Sequence, residues 1–494
     1  MSAVASSSLE AEYLQEHLAD LQGNIVRGYR RNWVRHLMLM VDTPTAARRF
    51  LAAAVAGTDG APAITTASEW PNGVKPETCF NIGLTFGGLR ALGVPDASLA
   101  CFPIEFAQGM VARAVKLGDV GTSDPRLWDK PFDTPDHIHV VATIHADDRD
   151  HLDLVQSQLQ AFESGAAFTL LGAVEGNAYD GANVHFGYKD GISQPRFVGI
   201  HDPERTPDRQ PLAPLGSLLL GFRTAYEGVE WCVPQPDALG RLGCFNAFRV
   251  LEQDVAGFED YLDTAATFLL KGPHGDELLP PGSEKKWVGA PSPHAAMREL
   301  VAAKICGRWR NGTPLRLSPH TPDPETPSGE KISETAFDYD AGVGFARDDG
   351  VNCPHGAHIR RCNPRGGTIV QRVANNTRRL VRRGTPYGPP YDPTKRDTEK
   401  RGLLGNFMCA NLGAQFEAVM CDWLNLGLQD PQITGTNDPL LGVNDGEGSF
   451  FDIPLKEGKT VRLDGLPRFV NTRGGAYAFL PSVPALRYIA SLGA

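Results

Sequence analysis

The chain has 494 residues, 41% hydrophobic and 21% charged, with 48 Lys+Arg against 58 Asp+Glu, a formal net charge of −10. That length predicts at least two domains, and the composition excludes a disordered chain. The acidic balance argues against nucleic acid and anionic membrane as partners.

The first residues, MSAVASSSLEAEYLQ, lack the basic and apolar regions of a secretory signal, and no apolar run reaches the length of a transmembrane helix. Nine cysteines form no regular framework, so reduced thiols in a cytoplasmic chain are expected. Leucines at helical spacing predict a helix over Leu9–Leu21. A strand follows over His36–Val41, then an Ala-rich helix over Pro44–Val55. Cys79–Phe86 reads as a strand, and Gly87–Leu92 as a short helix. His137–His145 alternates Ile138, Val140, Ala142 and Ile144 with polar partners, the pattern of a half-buried strand. Asp147–Phe162 is an amphipathic helix opened by acids. His201–Gly216, dense in Pro, Asp and Arg, predicts a link between halves. The rhythm then restarts, with strands over Ser217–Phe222 and Cys244–Leu251. Helices follow over Gln253–Leu270, Ala295–Ile305 and Gln415–Leu426. Strands interleaved with helices give an α+β class.

Three segments carry candidate chemistry. In HFGYKDGISQP, His185–Pro195, Gly187 and Gly191 bracket Asp190, which suits either an ordinary surface turn or an acid presented close to a flat ligand. In CPHGAHIRRCNPR, Cys353–Arg365, His358 sits between apolar residues and ahead of Arg360, Arg361 and Arg365. It suits a structural histidine or an iron-ligating one, with the arginines free to meet carboxylates of a cofactor. The same stretch holds Cys353, His355, His358 and Cys362, a donor set for zinc crowded more tightly than usual. In NNTRRLVRRGTPYGPP, Asn375–Pro390, a basic strand ends in a Gly-Pro turn. Ser193 has none of the surroundings of a nucleophile elbow.

Together these segments resemble the dye-decolourising peroxidase family. Gly187–Gly191 matches its GxxDG motif, Gly356–Arg365 its proximal-histidine stretch, and Arg382 precedes a YGP turn at Tyr387–Pro389. The resemblance extends to DLQGNIVRGY (Asp20–Tyr29), GRWRNGTPL (Gly307–Leu315) and YAFLPSVPAL (Tyr477–Leu486), in the same order over nearly the whole chain. It implies two ferredoxin-like α+β domains, each an antiparallel sheet flanked by helices. On this sequence these map to 1–200 and 217–494, joined by 201–216, with one haem b in the second domain. It implies His358 as the axial iron ligand, and Asp190 and Arg382 as the catalytic acid–base and charge-stabilising groups. Gly191, Ile192, Arg360, Leu403 and Phe407 are the further implied haem contacts. The family reads GLLF where this chain reads GLLGNF, so Gly405 replaces an aromatic or Phe407 takes its place. Glu417 is the candidate partner for the second ring nitrogen of His358, and His185 a candidate for the haem edge. The implied substrates are hydrogen peroxide and bulky aromatic donors, oxidised at the haem edge or through one of seven Trp and eleven Tyr. An aspartate base, unlike a histidine, stays ionised in mild acid, so an acidic activity optimum is expected. The rival expectations are a haem-binding or iron-handling protein with little turnover, and a zinc protein.

Overall fold

The computed structural model describes residues 3–493 except 180, 182, 203, 205–209, 227, 325–332, 340–347 and 367–374. Parts of the expected link 201–216 and of the long loop 311–356 therefore lie outside the described residues.

The first half runs β1 (Trp33–Val41), α1 (Pro44–Ala56), β2 (Thr78–Leu84), β3 (Val140–Ala146), α2 (Arg149–Ala161) and β4 (Phe168–Asn177). Local chemistry sets the helix ends. Pro44 opens α1 and Gly57, in the left-handed region, closes it. Asp148 caps α2 by accepting from the His151 N–H at 2.9 Å. The strands pair antiparallel in the order β4-β1-β3-β2, which with two crossover helices is a ferredoxin-like unit.

The second half repeats the plan with longer insertions. β5 (Cys244–Gln253) leads into α3 (Val255–Lys271) and α4 (Pro293–Cys306), capped by Asp254 and Ser292. Then come the short α5 (His358–Cys362), β6 (Val381–Tyr387), β7 (Gly402–Cys409), a hairpin of β8 (Phe450–Pro454) and β9 (Thr460–Asp464), and β10 (Val470–Leu480). The order β10-β5-β7-β6 reproduces the first unit's topology, and β10 meets β2 at Phe479 and Leu84, so the two sheets are continuous.

The eight strands curl into a barrel. The outer strands meet where Gly176 of β4 faces Thr385 and Pro386 of β6, so tightly that a Cβ there would sit 2.6 Å from the Pro386 carbonyl oxygen. Across the interior, the His36 ring of β1 lies 4.7 Å from Phe248 of β5. Enclosure explains why β3 is buried along both faces rather than one: His36 and Thr143 bond each other at 3.0 Å inside the barrel. Ser217–Phe222, expected as a strand, is instead a buried turn in which Leu218 and Leu219 donate to the Leu215 carbonyl. Its backbone is satisfied locally, so apolarity alone signalled burial and not extension. The expected helix over Gln415–Leu426 is two π-helical stretches, Leu412–Glu417 and Val419–Asn425.

Candidate functional site

The barrel turns alternate residues of β6 and β7 outward. Arg382 pairs with Phe407, Gly384 with Gly405 and Pro386 with Leu403, so these six share one outer face. Arg382 and Gly384 are exposed, and Leu403 and Phe407 half-buried, although the same strands bury most of their other residues. The opposite face points inward, where burial pulls Arg383 down to about 10.

The GxxDG loop is laid over this face from the edge of β6. Gly187 and Gly191 have φ of 84° and 72°, the left-handed region that favours glycine. A Cβ at Gly187 would also meet Arg310 of the GRWRNG segment at 2.9 Å. Tyr188 anchors the loop by donating to the Ala302 carbonyl at 2.7 Å. Gln194 acts as a strand partner: it accepts from the Arg382 N–H at 3.1 Å and donates to the Arg382 carbonyl at 2.7 Å. The Arg382 guanidinium donates to the Ser193 carbonyl at 2.8 Å. The Asp190 carboxylate lies over Gly384, 3.8 Å from where a Cβ would stand and, among the described residues, alone within 4 Å of it. Asp190 and Arg382, 192 residues apart in the chain, thus converge on one strand face. Ile192 packs over Gly312.

His358 opens α5, and its side chain is 27% exposed among buried neighbours. Its Nδ1 donates to Asp438, whose oxygens stand 3.0 and 3.1 Å away. Asp438 is fully buried and also accepts the backbone N–H groups of Leu440 and Leu441. Burial works to lower the imidazole pKa, but the Asp438 charge and the adjacent Cys362 sulfur hold it well above its ordinary value. With Nδ1 engaged by Asp438, Nε2, which has the Cys362 sulfur at 3.8 Å, is the nitrogen left for a metal that displaces its proton.

Several expectations change. Asp438, not Glu417, partners His358; Glu417 is fully buried against Arg113, at 2.9 Å, and Tyr477, at 3.0 Å. Arg360, expected to contact the cofactor, is engaged by protein groups: it donates to Asp348 at 2.7 Å and the Cys353 carbonyl at 2.8 Å, and stacks on Tyr339. Arg361 and Arg365 likewise clamp backbone carbonyls of the surrounding loops. A short helix holding three arginines against buried loops needs them as fasteners, and their charge pattern alone could not distinguish that use. His185 is buried and bonds the Tyr387 carbonyl at 2.7 Å, tying the GxxDG loop to the YGP turn. The zinc set does not converge. His355 pairs with Asp430 and His358 with Asp438, and no cluster of three metal-binding side chains occurs among the described residues. The doubt over GLLGNF resolves locally: a Cβ on Gly405 would fall 2.6 Å from the Phe407 ring, so the ring itself covers the glycine.

The donor set fits a haem. An imidazole whose Nδ1 is held by a buried carboxylate, and whose Nε2 has the Cys362 sulfur 3.8 Å away, is a preorganised iron ligand. The outer face of β6 and β7 is cleared at Gly384, and is edged by Leu403 and by Phe407, whose ring covers Gly405.

The model of a protein family described as "DyP dimeric alpha+beta barrel domain" matches residues 20–178. A dye-decolorizing peroxidase of Mycena epipterygia is 30% identical over 464 residues, covering 87% of this chain and 80% of its own. A solved dye-decolorizing peroxidase in complex with 2,6-dimethoxyphenol is 28% identical, with a TM-score of 0.74 over 96% of this chain and 99% of that one. Another, its heme pocket engineered for asymmetric sulfoxidation, is 25% identical, with a TM-score of 0.77 over 96% and 99%.

Proposed function

Since the chain belongs to the dye-decolourising peroxidase family, we propose that it binds one haem b through His358 and reduces hydrogen peroxide with Asp190 and Arg382, at the expense of aromatic donors. Haem held by His358 would supply the two-electron redox chemistry that peroxide reduction requires, the aromatic donor being the final source of those electrons. The protein's own part is proton transfer, charge stabilisation and positioning. Asp190, carried on the glycine-flanked loop, takes the proton from one peroxide oxygen and returns it to the other, so that water leaves. Arg382, on the same strand face, stabilises the negative charge that builds as the O–O bond breaks, and its guanidinium is held for that task by Ser193. Gly191 and Ile192 carry the loop across the pocket, and Leu403 and Phe407 form its apolar wall. Asp438 fixes the orientation of His358 and raises its basicity.

The arrangement carrying this reading is the buried Asp438 carboxylate on Nδ1 of an otherwise half-open His358. The test is an absorption spectrum of the haem-reconstituted protein before and after adding peroxide. A Soret band that shifts with peroxide is expected. His358→Ala should lose the band, and Asp190→Asn should keep it while losing turnover. Zinc without iron in the purified protein would overturn the proposal. Bulky donors such as dyes and phenols are the expected reductants, because the apolar pocket wall leaves them the haem edge or a surface aromatic side chain. No described helix is long and apolar enough to cross a membrane.

A further inference from the structure

Of the nine cysteines, Cys79, Cys244, Cys306, Cys353 and Cys409 are buried, Cys101, Cys362 and Cys421 are intermediate, and Cys232 is exposed. In two pairs, among the described residues, the sulfur of one cysteine comes within 4.0 Å of the other's carbonyl oxygen. Cys244 contacts the Cys409 carbonyl at 3.5 Å, but both thiols are buried, and burial pushes Cys409 up to about 12. That pair is screened from oxidants and held in its unreactive form. The other pair is at the surface. The Cys232 sulfur lies 4.0 Å from the Cys101 carbonyl oxygen, which brings together the junction before the helix Ile104–Ala112 and the segment leading to β5. Both backbones are held in place by their neighbours: Phe102, Trp231 and Val233 pack into the same core cluster.

We propose that Cys101 and Cys232 form a peroxide-oxidisable pair that closes a surface disulfide between the two halves of the chain. A carbonyl oxygen is about 2.4 Å from its own Cα, so the Cys232 sulfur lies within about 6.4 Å of the Cys101 Cα, close enough for an S–S bond to form once the side chains turn and the exposed Cys232 segment moves in. The Cys101 thiol now points to the Ala97 carbonyl at 3.3 Å, so closure requires that side chain to rotate. In the first step the exposed Cys232 thiolate attacks a peroxide oxygen. The O–O bond breaks, giving a sulfenic acid and hydroxide. The Cys101 thiolate then attacks that sulfur and expels a second hydroxide. Two thiols and one hydrogen peroxide become one disulfide and two waters; the sulfurs lose two electrons and the peroxide gains them. The oxidant is the enzyme's own substrate, so the cross-link forms under the conditions in which the enzyme works. Because it closes a long loop, it stabilises the fold.

The test is non-reducing peptide mapping of the haem-loaded, full-length protein before and after brief exposure to a small excess of peroxide, with thiol titration and thermal melting in parallel. The expected result is a linked Cys101–Cys232 peptide, two thiols lost together, and a Tm raised by a few degrees and restored by dithiothreitol. Cys101→Ser should leave Cys232 unlinked and abolish the rise in Tm, with unchanged turnover in the first minutes. The proposal is overturned if Cys232 is oxidised to sulfinic or sulfonic acid with Cys101 still free, or if both thiols survive peroxide that has driven turnover. The Soret band reports independently on the peroxidase reading, so either can fail alone.

Discussion

The two ferredoxin-like units share one topology but differ at the same place. In the first, the adjacent strands β2 and β3 are buried along nearly their whole length. In the second, the equivalent pair β6 and β7 leaves Arg382 and Gly384 exposed and keeps Leu403 and Phe407 only half-buried. The first unit fills those positions with residues such as Phe80, Ile82 and Ile144; the second has Gly384 and Gly405 there and lays the Asp190 loop across the edge. The histidines follow the same division. His36 and His145 lie inside the barrel with no acid as partner, and burial is the main cause pulling each down to about 3. His358 lies outside it, and Asp438 holds it in the opposite direction. One topology thus gives a packed scaffold where its strand faces are filled, and an open face where Gly384 omits a side chain, with a carboxylate buried behind an imidazole elsewhere in the same unit.

The sharpest way to break this contrast is to make the second unit like the first. Gly384→Leu places a side chain in the space beside the Asp190 carboxylate, and its outcome should be loss of the Soret band with the far-ultraviolet circular dichroism retained. His358→Ala should be equally severe, with turnover falling to background. If either variant bound haem normally, with an unshifted band, the outer face of β6 and β7 would not be the site. Asp190→Asn comes next, with a fall in kcat/KM for peroxide of about 10²–10⁴-fold. Arg382→Leu should cost about 10²–10³-fold. Stopped-flow absorbance of the haem-loaded variants separates both from cofactor loss. Asp438→Asn keeps the hydrogen bond but removes the charge, and should lower activity or iron affinity by about 10–100-fold. Glu417→Gln, at the residue sequence reasoning favoured for that role, should leave the Soret band unmoved.

Much of the fold was legible because its elements obey local rules. α1, α2, α3 and α4 begin at caps or prolines and keep a helical apolar period, and the structure places each within a few residues of its expected span. Strands β4, β7 and β10 were missed because glycine interrupts them. In β10, Gly474 and Gly475 make room for the Phe132 ring and the Met110 sulfur, so the residues that look like turn formers are responses to packing from other segments. The site divides in the same way. Asp190, His358 and Arg382 stand in short motifs, so resemblance found them and the structure gathers Asp190 and Arg382 on one face. Asp438 stands 80 residues from His358, and its local signal, an aspartate before Pro439 accepting the Leu440 and Leu441 N–H groups, is that of an ordinary turn. Arg360 shows the converse: a charge two residues after His358 looks available in sequence, and only the position of Asp348 reveals its protein partner.

The smallest expected effect, and the one that isolates the first unit, concerns acid. His36 is 1% exposed, and its folded pKa of about 3 lies below the ordinary ~6.5 of an unfolded chain. The unfolded state therefore takes up the proton first. Stability from this group is fully present above about 6.5 and is lost as the pH falls from there toward about 3. By pH ~5 the loss from His36 alone is on the order of 2 kcal/mol. His36→Gln can keep a bond to Thr143 while having nothing to titrate, so its acid-unfolding midpoint, followed by tryptophan fluorescence, should move to lower pH. Its turnover at pH ~6.5 should match the parent's, because the ring faces Phe248 inside the barrel and not the outer face of β6 and β7. An unchanged acid midpoint would mean that water or a charge reaches the barrel interior, and the contrast between the two kinds of histidine would fail. If the midpoint moves as expected, the lower pH limit of the fold is set by the packed unit's neutral histidines.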